Sequence, residues 1–191
     1  AHVDAATRTL WFRGVGREQG EDPYFVHFYK VGLDGGDVQS LTPESGNHTV
    51  TVAEDGKHFV DAYSTNATAP VVVLRDADGK QLAELARADL TRLKASGWVP
   101  PETIVVKARD GKTDLYGQMF KPSTFDASKK YPVVLYIYPG PQVGSVRSRS
   151  FMPAHGDHQA LAELGFVVVA IDGMGTPLRS KSFQDAWYGN M

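Results

Sequence analysis

The chain has 191 residues, of which 42% are hydrophobic and 22% are charged, an ordinary composition for a globular protein of one or two domains. Its formal net charge of −2 provides no broad basic field for nucleic acid or an anionic membrane, and its apolar runs are shorter than the about 20 residues of a membrane-spanning helix. Because the sequence has no cysteine, it excludes a disulfide framework, a thiolate metal site and a cysteine nucleophile.

The first half of the chain is a series of short strands separated by Asp-Gly or Gly-Gly turns. Four-stranded antiparallel sheets of this kind form the blades of a β-propeller, and a small β-sandwich fits the same rhythm. His48 and His58 lie in predicted strands and are expected to face solvent or a neighbouring blade. The predicted strands are Thr9–Arg13, Phe25–Val31, Thr49–Val52, His58–Tyr63, Val71–Leu74 and Gln81–Leu85.

A change of rhythm marks a domain boundary near residue 97. A short helix is predicted over Asp89–Ser96, and the glycine and two prolines of Gly97–Pro101 end it. We therefore expect an all-β domain over residues 1–96 and a second domain over residues 97–191.

The second half has the pattern of an α/β sheet. Val133–Tyr138 is apolar on both faces, which predicts a strand inside a sheet that is covered on both sides. A helix that directs Leu161 and Leu164 inward and ends at Gly165 follows it. Strand, helix and strand in this order are typical of a doubly wound sheet. The predicted elements are a hairpin of Glu102–Ala108 with Leu115–Lys121, the strand Val133–Tyr138, the helix Asp157–Leu164, the strand Phe166–Ile171 and a helix beginning in Ser180–Trp187.

Two loops lie beyond the carboxyl ends of the predicted apolar strands, where α/β sheets carry their chemistry. In the first loop, Tyr138 is followed by Pro139, Gly140 and Pro141, so a phenol stands at the base of a stiff turn. From the residues alone, Tyr138 is either a preorganised hydrogen-bond donor or an aromatic cap on the strand. The second loop, Asp172–Arg179, is rich in glycine but does not match a phosphate-binding motif.

Two other polar groups are weaker candidates for a site. His155, Asp157 and His158 are close in sequence, but a metal site needs three or four convergent ligands, so we expect a polar helix start and no metal. Arg147 and Arg149 follow the tyrosine loop. They are expected in a solvated loop, and contact with the carboxyl side of a peptide is the alternative.

Several segments, in order, resemble the prolyl oligopeptidase clan of serine peptidases, and the dipeptidyl peptidase IV branch most closely. The strand that ends in Tyr138 with the Gly140-Pro141 pair carries the resemblance to that branch. The segments are residues 28–36, 41–42, 48–52 and 55–64, which are similar to the last propeller blade, and residues 130–142 and 164–173, which are similar to the entry into the α/β-hydrolase domain.

The resemblance implies a fold that is α/β plus all-β: the C-terminal blades of a β-propeller, then the N-terminal part of an incomplete α/β-hydrolase domain. It implies a serine exopeptidase that releases dipeptides from free peptide amino termini, commonly after proline. Tyr138 would be the catalytic oxyanion-hole donor and Pro141 a substrate contact, with no cofactor or metal. Met174 replaces an arginine that the family often has, which puts an ion pair of that loop in doubt.

The sequence contains no Gly-x-Ser-x-Gly motif. The resemblance places the nucleophile and the other triad residues beyond residue 191, so the chain by itself is expected to be inactive. The parent is expected to be a homodimer, and the incomplete sheet is expected to make this chain self-associate. No leader opens the sequence, and bacterial periplasm and cytoplasm both stay open. Another enzyme of the clan, such as an acylaminoacyl peptidase, and a non-catalytic peptide-binding module are the alternatives.

Overall fold

The computed structural model describes residues 2–138 and 140–189. The chain divides into two compact units, which we call unit 1 and unit 2. Unit 1 contains residues 1–89 and Arg149–Phe151, and unit 2 contains residues 90–148 and 152–191. The division falls between Asp89 and Leu90, ahead of the Gly97–Pro101 segment. Among the described residues, no helix has the length and apolar character to cross a membrane.

Unit 1 consists of two four-stranded antiparallel sheets, each with its strands in sequence order. The first sheet contains β1 (His2–Asp4), β2 (Thr9–Val15), β3 (Val26–Gly32) and β4 (Gln39–Ser40). The second contains β5 (Asn47–Val52), β6 (His58–Ser64), β7 (Val71–Asp76) and β8 (Gln81–Arg87). The six predicted strands are present. The sequence analysis missed β1 and β4, since strands of two or three residues are too short to show alternation.

The core of unit 1 forms because alternate residues of a strand point to the same face. Trp11 and Phe28 meet edge to face with their ring centroids 6.2 Å apart, and Phe28 meets Phe59 in the same way at 5.4 Å. Leu41 and Val50 complete this buried cluster. Aromatic pairs in such arrangements add to the free energy that their buried area provides.

A buried polar network, which we call the Asp61 network, lies beside this core. His48 Nδ1 is 2.9 Å from Asp61 Oδ1, and Arg75 Nε donates to Asp61 Oδ2 over 3.0 Å. Arg75 also donates to Glu44, and the Glu44 carbonyl lies 2.8 Å from His48 Nε2. Of the two positions expected for His48, solvent is wrong, because the residue is 3% exposed. Its ring instead lies 4.9 Å from that of His27 on β3 of the neighbouring sheet. His58 is partly exposed and pairs with Asp55.

Unit 2 contains one mixed sheet and short helices. The strands are β9 (Glu102–Lys107), β10 (Asp114–Phe120), β11 (Val133–Tyr136) and β12 (Val167–Ile171). The helices are α1 (Thr91–Ala95), α2 (His158–Glu163) and α3 (Lys181–Gln184), with a 3-10 turn over Asp185–Trp187. The strand order is β11-β12-β10-β9, and β11 runs parallel to β12 while the other pairs are antiparallel. All of them fall within or next to predicted segments.

Helix α2 covers one face of this sheet. Ala162 on the helix packs with Phe120 of β10 and Val168 of β12 in a buried cluster that Leu161 joins. The inward orientation expected of Leu164 is wrong: the helix ends at Glu163, and Leu164 is 75% exposed. Gly165 then takes φ +98°, a left-handed conformation in which glycine commonly ends a helix.

Strand β11 differs from its prediction in two ways. It ends at Tyr136 rather than Tyr138, and it is an edge strand of the sheet rather than an interior one. Val133 and Leu135 point away from α2 and are more than half exposed. The reason is that, among the described residues, α2 is the helix that packs on this sheet, and it covers only the other face.

Candidate functional site

The two loops singled out in the sequence line one cavity of about 240 Å³ in unit 2, at the carboxyl ends of β11 and β12. Parallel neighbours end at the same edge of a sheet, so the loops that follow them meet there. The described residues that line the cavity are Ile137, Tyr138, Gly140, Pro141, Ser145, Ile171, Gly173, Met174, Gly175, Thr176 and Trp187.

Tyr138 lines this cavity with a side chain that is accessible to solvent, since the residue is 38% exposed. Its backbone N–H donates to Ser145 Oγ over 2.9 Å. Ser145 is buried, so this bond fixes the base of the tyrosine from within the loop. The sequence analysis missed Ser145, because nothing in its spacing from Tyr138 indicates the contact.

The residues after Tyr138 approach its ring closely. A Cβ atom at Gly140 would lie 2.8 Å from Tyr138 Cε1, so a larger residue there would displace the ring. Pro141, predicted as a substrate contact, lines the same cavity, and its carbonyl accepts a hydrogen bond from Gln184 Nε2 over 3.3 Å. Pro139, expected to stiffen this turn, lies outside the described residues.

Asp172 joins the first loop to the end of β12. It is 1% exposed, and its Oδ1 accepts a hydrogen bond from the Val146 backbone N–H over 3.0 Å. Gly144 passes so near that a Cβ there would lie 2.4 Å from the same oxygen. The backbone N–H of Asp172 donates in turn to the Tyr116 carbonyl over 3.1 Å. This buried carboxylate therefore fixes the tyrosine loop to the sheet.

The second loop is held by a hydrogen bond within it and by another to α3. Thr176 Oγ1 donates to the Gly173 carbonyl over 2.8 Å, and the Gly175 N–H donates to the Phe183 carbonyl over 2.8 Å. Gly175 has φ +102° and packs against Trp187, which leaves little space for a side chain there. Met174 lines the cavity and is exposed.

The cavity can hold a hydrogen-bond donor in place, but it lacks the groups for proton abstraction. None of the described residues that line it is a histidine, an aspartate or a glutamate. Ser145 therefore has no general base beside it in the cavity, and its hydroxyl already accepts the Tyr138 N–H. Among these lining residues, the Tyr138 hydroxyl is a group of the kind that can stabilise a developing negative charge.

The histidine pair beside this region packs against an aromatic ring. The rings of His155 and His158 lie 5.4 and 5.0 Å from that of Phe120. Burial lowers the pKa of His158, and the positive charge of Arg147 also lowers it, against the opposing effect of Asp157. Across residues 2–138 and 140–189, no group of three or more His, Cys, Asp or Glu side chains is placed to hold a metal ion.

The two arginines that follow the loop belong to different units. Arg147 is exposed, as expected. Arg149 belongs to unit 1, where it is 4% exposed, donates to Asp22 over 3.2 Å and lies over the Tyr24 ring at 4.3 Å. The expectation of a solvated loop is therefore wrong for Arg149, because a carboxylate and an aromatic face compensate its burial.

Comparison with known proteins supports the family resemblance. Residues 1–70 match the family model described as the dipeptidyl peptidase IV N-terminal region. The chain is 31% identical to human dipeptidyl peptidase 8 over 193 aligned residues, which cover 97% of the chain and 21% of that protein. It is 29% identical to a probable dipeptidyl-aminopeptidase B of Emericella nidulans, covering 90% of the chain and 19% of that protein.

These comparisons support a chain of the dipeptidyl peptidase IV type. Its structure is similar to the crystal structure of Porphyromonas gingivalis dipeptidyl peptidase 4, with a TM-score of 0.76 and 26% sequence identity. That similarity covers 97% of the chain and 26% of the other structure. The chain spans about a fifth of the length of the curated dipeptidyl peptidases above.

Proposed function

We propose that this chain is part of a serine exopeptidase that releases dipeptides from free peptide amino termini, commonly after proline. In this function, Tyr138 donates its hydroxyl to the oxyanion that forms on the substrate carbonyl, and Pro141 contacts the substrate. The observation that carries the proposal is the exposed Tyr138 side chain in a cavity at the carboxyl ends of two parallel strands. The names of the related dipeptidyl peptidases support the reaction class.

Unit 1 is proposed to be two blades at the C-terminal end of a β-propeller. Each of its sheets has four antiparallel strands in sequence order, which is the architecture of a blade. The match of residues 1–70 to the N-terminal region model supports the same assignment.

Unit 2 is proposed to begin an α/β-hydrolase domain. Strand β11, helix α2 and strand β12 form a parallel crossover, and the cavity lies at the edge of the sheet where α/β enzymes bind ligands. The nucleophile and its base would come from the parent protein outside residues 1–191, since this sequence has no Gly-x-Ser-x-Gly motif. The parent is proposed to act as a homodimer, as the family resemblance implies.

The proposed mechanism depends on how firmly Tyr138 is held. A donor stabilises an oxyanion best when it is already oriented before charge develops, because no reorganisation is then needed. The Ser145 bond to the tyrosine backbone and the close approach of Gly140 to the ring supply that orientation. Asp172 holds the rest of the loop against β12.

The test is the kinetics of the Tyr138→Phe variant of the full-length protein on a Gly-Pro amide that releases a chromophore. Removing one oxyanion donor is expected to lower kcat about 100- to 1,000-fold. Tyr188→Phe is the matched control: this tyrosine is 81% exposed, and its variant should retain the parent's kcat. The 191-residue chain by itself should release no chromophore.

Two results would contradict the proposal. If Tyr138→Phe keeps the parent's kcat, Tyr138 is not the oxyanion donor. If the 191-residue chain hydrolyses the amide robustly, the chain contains a nucleophile of its own and the proposed mechanism is wrong.

A further inference from the structure

A second cavity in unit 2 shares Ser145 with the cavity that Tyr138 lines. We call it the Gln118 cavity; its volume is about 320 Å³. Gln118, Tyr136 and Ala170 contribute its sheet side, and they share the face of the sheet that α2 covers. The described residues that line it are Gln118, Tyr136, Ser145, Val146, Arg147, Ser148, Met152, His155, Gly156, His158 and Ala170.

The most buried polar residue of this lining is Gln118. Gln118 is 2% exposed, and its Nε2 makes no hydrogen bond to any of the described residues. A buried amide N–H is normally paired, because burying it without a partner forfeits its hydrogen bonds to water. The side chain stands in the middle of β10, where the ladder holds its backbone opposite Ala170 and Thr103. The amide therefore offers a fixed donor to a molecule inside the cavity.

The charge of the cavity favours an anion. Arg147 lines it, and none of the described lining residues is an aspartate or a glutamate. Arg147 has φ +62°, so its backbone is held in the left-handed conformation beside Val146, whose N–H is bound by Asp172. Burial lowers the pKa of His158 and Arg147 lowers it further, which outweighs the opposing effect of Asp157 and favours the neutral imidazole. Arg147 is thus the permanently charged side chain among the described lining residues.

The walls of the cavity are largely apolar. Val146 and Ala170 are buried there, and Met152 is a flexible apolar side chain that adapts to a ligand's shape. Tyr136 packs on His158 with the ring centroids 4.5 Å apart, which forms an aromatic side. Apolar walls with a few placed polar groups are the usual lining of a small-molecule pocket, and this volume is at the small end of the usual range.

We propose that the Gln118 cavity binds a small organic carboxylate with an apolar body. A carboxylate oxygen accepts from the Gln118 amide, Arg147 supplies the compensating charge, and the apolar part of the ligand contacts Met152, Ala170 and the Tyr136 ring. This combination favours a carboxylic acid over inorganic phosphate, which has no apolar body. The site stands on unit 2 alone and does not depend on the peptidase assignment.

The test is a ligand-observed NMR titration of the 191-residue chain with 3-phenylpropionate, and with 3-phenylpropan-1-ol as its neutral counterpart. Line broadening of the ligand is measurable even if the protein self-associates. We expect saturable binding of the carboxylate, at least tenfold tighter than that of the alcohol.

Two variants separate this site from nonspecific binding. Arg147→Asn removes the charge with a residue that tolerates the left-handed conformation, and Gln118→Leu removes the donor. Each should weaken 3-phenylpropionate binding at least fivefold, whereas Arg109→Gln, which removes an exposed arginine of the same unit outside the cavity, should leave it unchanged. Equal affinity for acid and alcohol, no saturable binding, or equal loss in Arg147→Asn and Arg109→Gln would overturn the proposal. If Gln118→Leu does not fold, the comparison of Arg147→Asn with Arg109→Gln alone tests the proposal.

Discussion

At the scale of single residues, Asp61 of unit 1 is a carboxylate that is buried among polar partners. It has no exposure to solvent and accepts from both His48 and Arg75. Burial acts to lower the pKa of Arg75, but its hydrogen bonds and ion pairs with Glu44 and Asp61 outweigh that effect and raise it. The guanidinium therefore stays charged inside the unit, and it needs its carboxylate partners.

We predict that Asp61→Asn destabilises the chain strongly. Removing one partner of a buried ion pair leaves the other charge uncompensated, which costs about 3–5 kcal/mol in free energy of unfolding. The measurement is a urea titration of the unsubstituted chain and of the Asp61→Asn variant. Asp34→Asn is the matched control, because the Arg8–Asp34 pair is on the surface and solvent screens it. Similar losses in the two variants would show that the Asp61 network does not stabilise unit 1.

At the scale of elements, the tyrosine loop is held by its approach to the end of β12. Gly144 and Asp172 are in such close contact that no side chain fits between them. The carboxylate bonds to the Val146 N–H, immediately beyond the Ser145 that holds Tyr138. The position of the phenol therefore depends on a contact with another strand.

We predict that Gly144→Ala destabilises unit 2 by about 1–3 kcal/mol, the usual cost of inserting a methyl group into a packed site. Its Cβ would lie 2.4 Å from Asp172 Oδ1 and force the loop to shift. Gly173→Ala is the control, since a Cβ there meets nothing within 4 Å and the change should be small. Urea titration measures both variants. An unchanged Gly144→Ala midpoint would mean that the loop yields without cost.

The sequence predicts elements better than it predicts contacts. The β-branched and aromatic residues of β6 and β7 and the turns around them are local signals, so these strands were found with nearly correct bounds. Whether β11 is an edge strand depends on which strands pair with it, and whether its second face is covered depends on what packs there. Its apolar residues encode neither. Tyr138 could be selected because it follows a strand. Ser145 and Asp172 could not, because their roles depend on how the chain folds back after that strand.

At the scale of the whole molecule, one face of the unit 2 sheet is apolar and uncovered among the described residues. Val133, Leu135 and Ile137 along β11 and just beyond it are 66%, 58% and 61% exposed. Val167 and Val169 of β12 share this face through their pairing with β11. Exposed patches of this kind promote association, because contact between them removes apolar surface from water.

We predict that the 191-residue chain self-associates through this face. Light scattering should show a mass above that of a monomer, and Leu135→Lys should lower it by placing a charge in the patch. The control is Val105→Lys, because Val105 is also exposed but lies on the α2 side of the sheet. A clean monomer at all concentrations, or equal effects of the two lysines, would contradict the prediction.

The short return of the chain to unit 1 at Arg149–Phe151 has a practical consequence for anyone who wishes to study the units apart. Ser150 accepts a hydrogen bond from Asn47, and the Phe151 N–H donates to Ser64. A cut between residues 89 and 90 therefore leaves three residues of unit 1 on the downstream polypeptide. A gene that ends after residue 89 would likewise encode unit 1 without Arg149–Phe151, although the residues that bond to them are present.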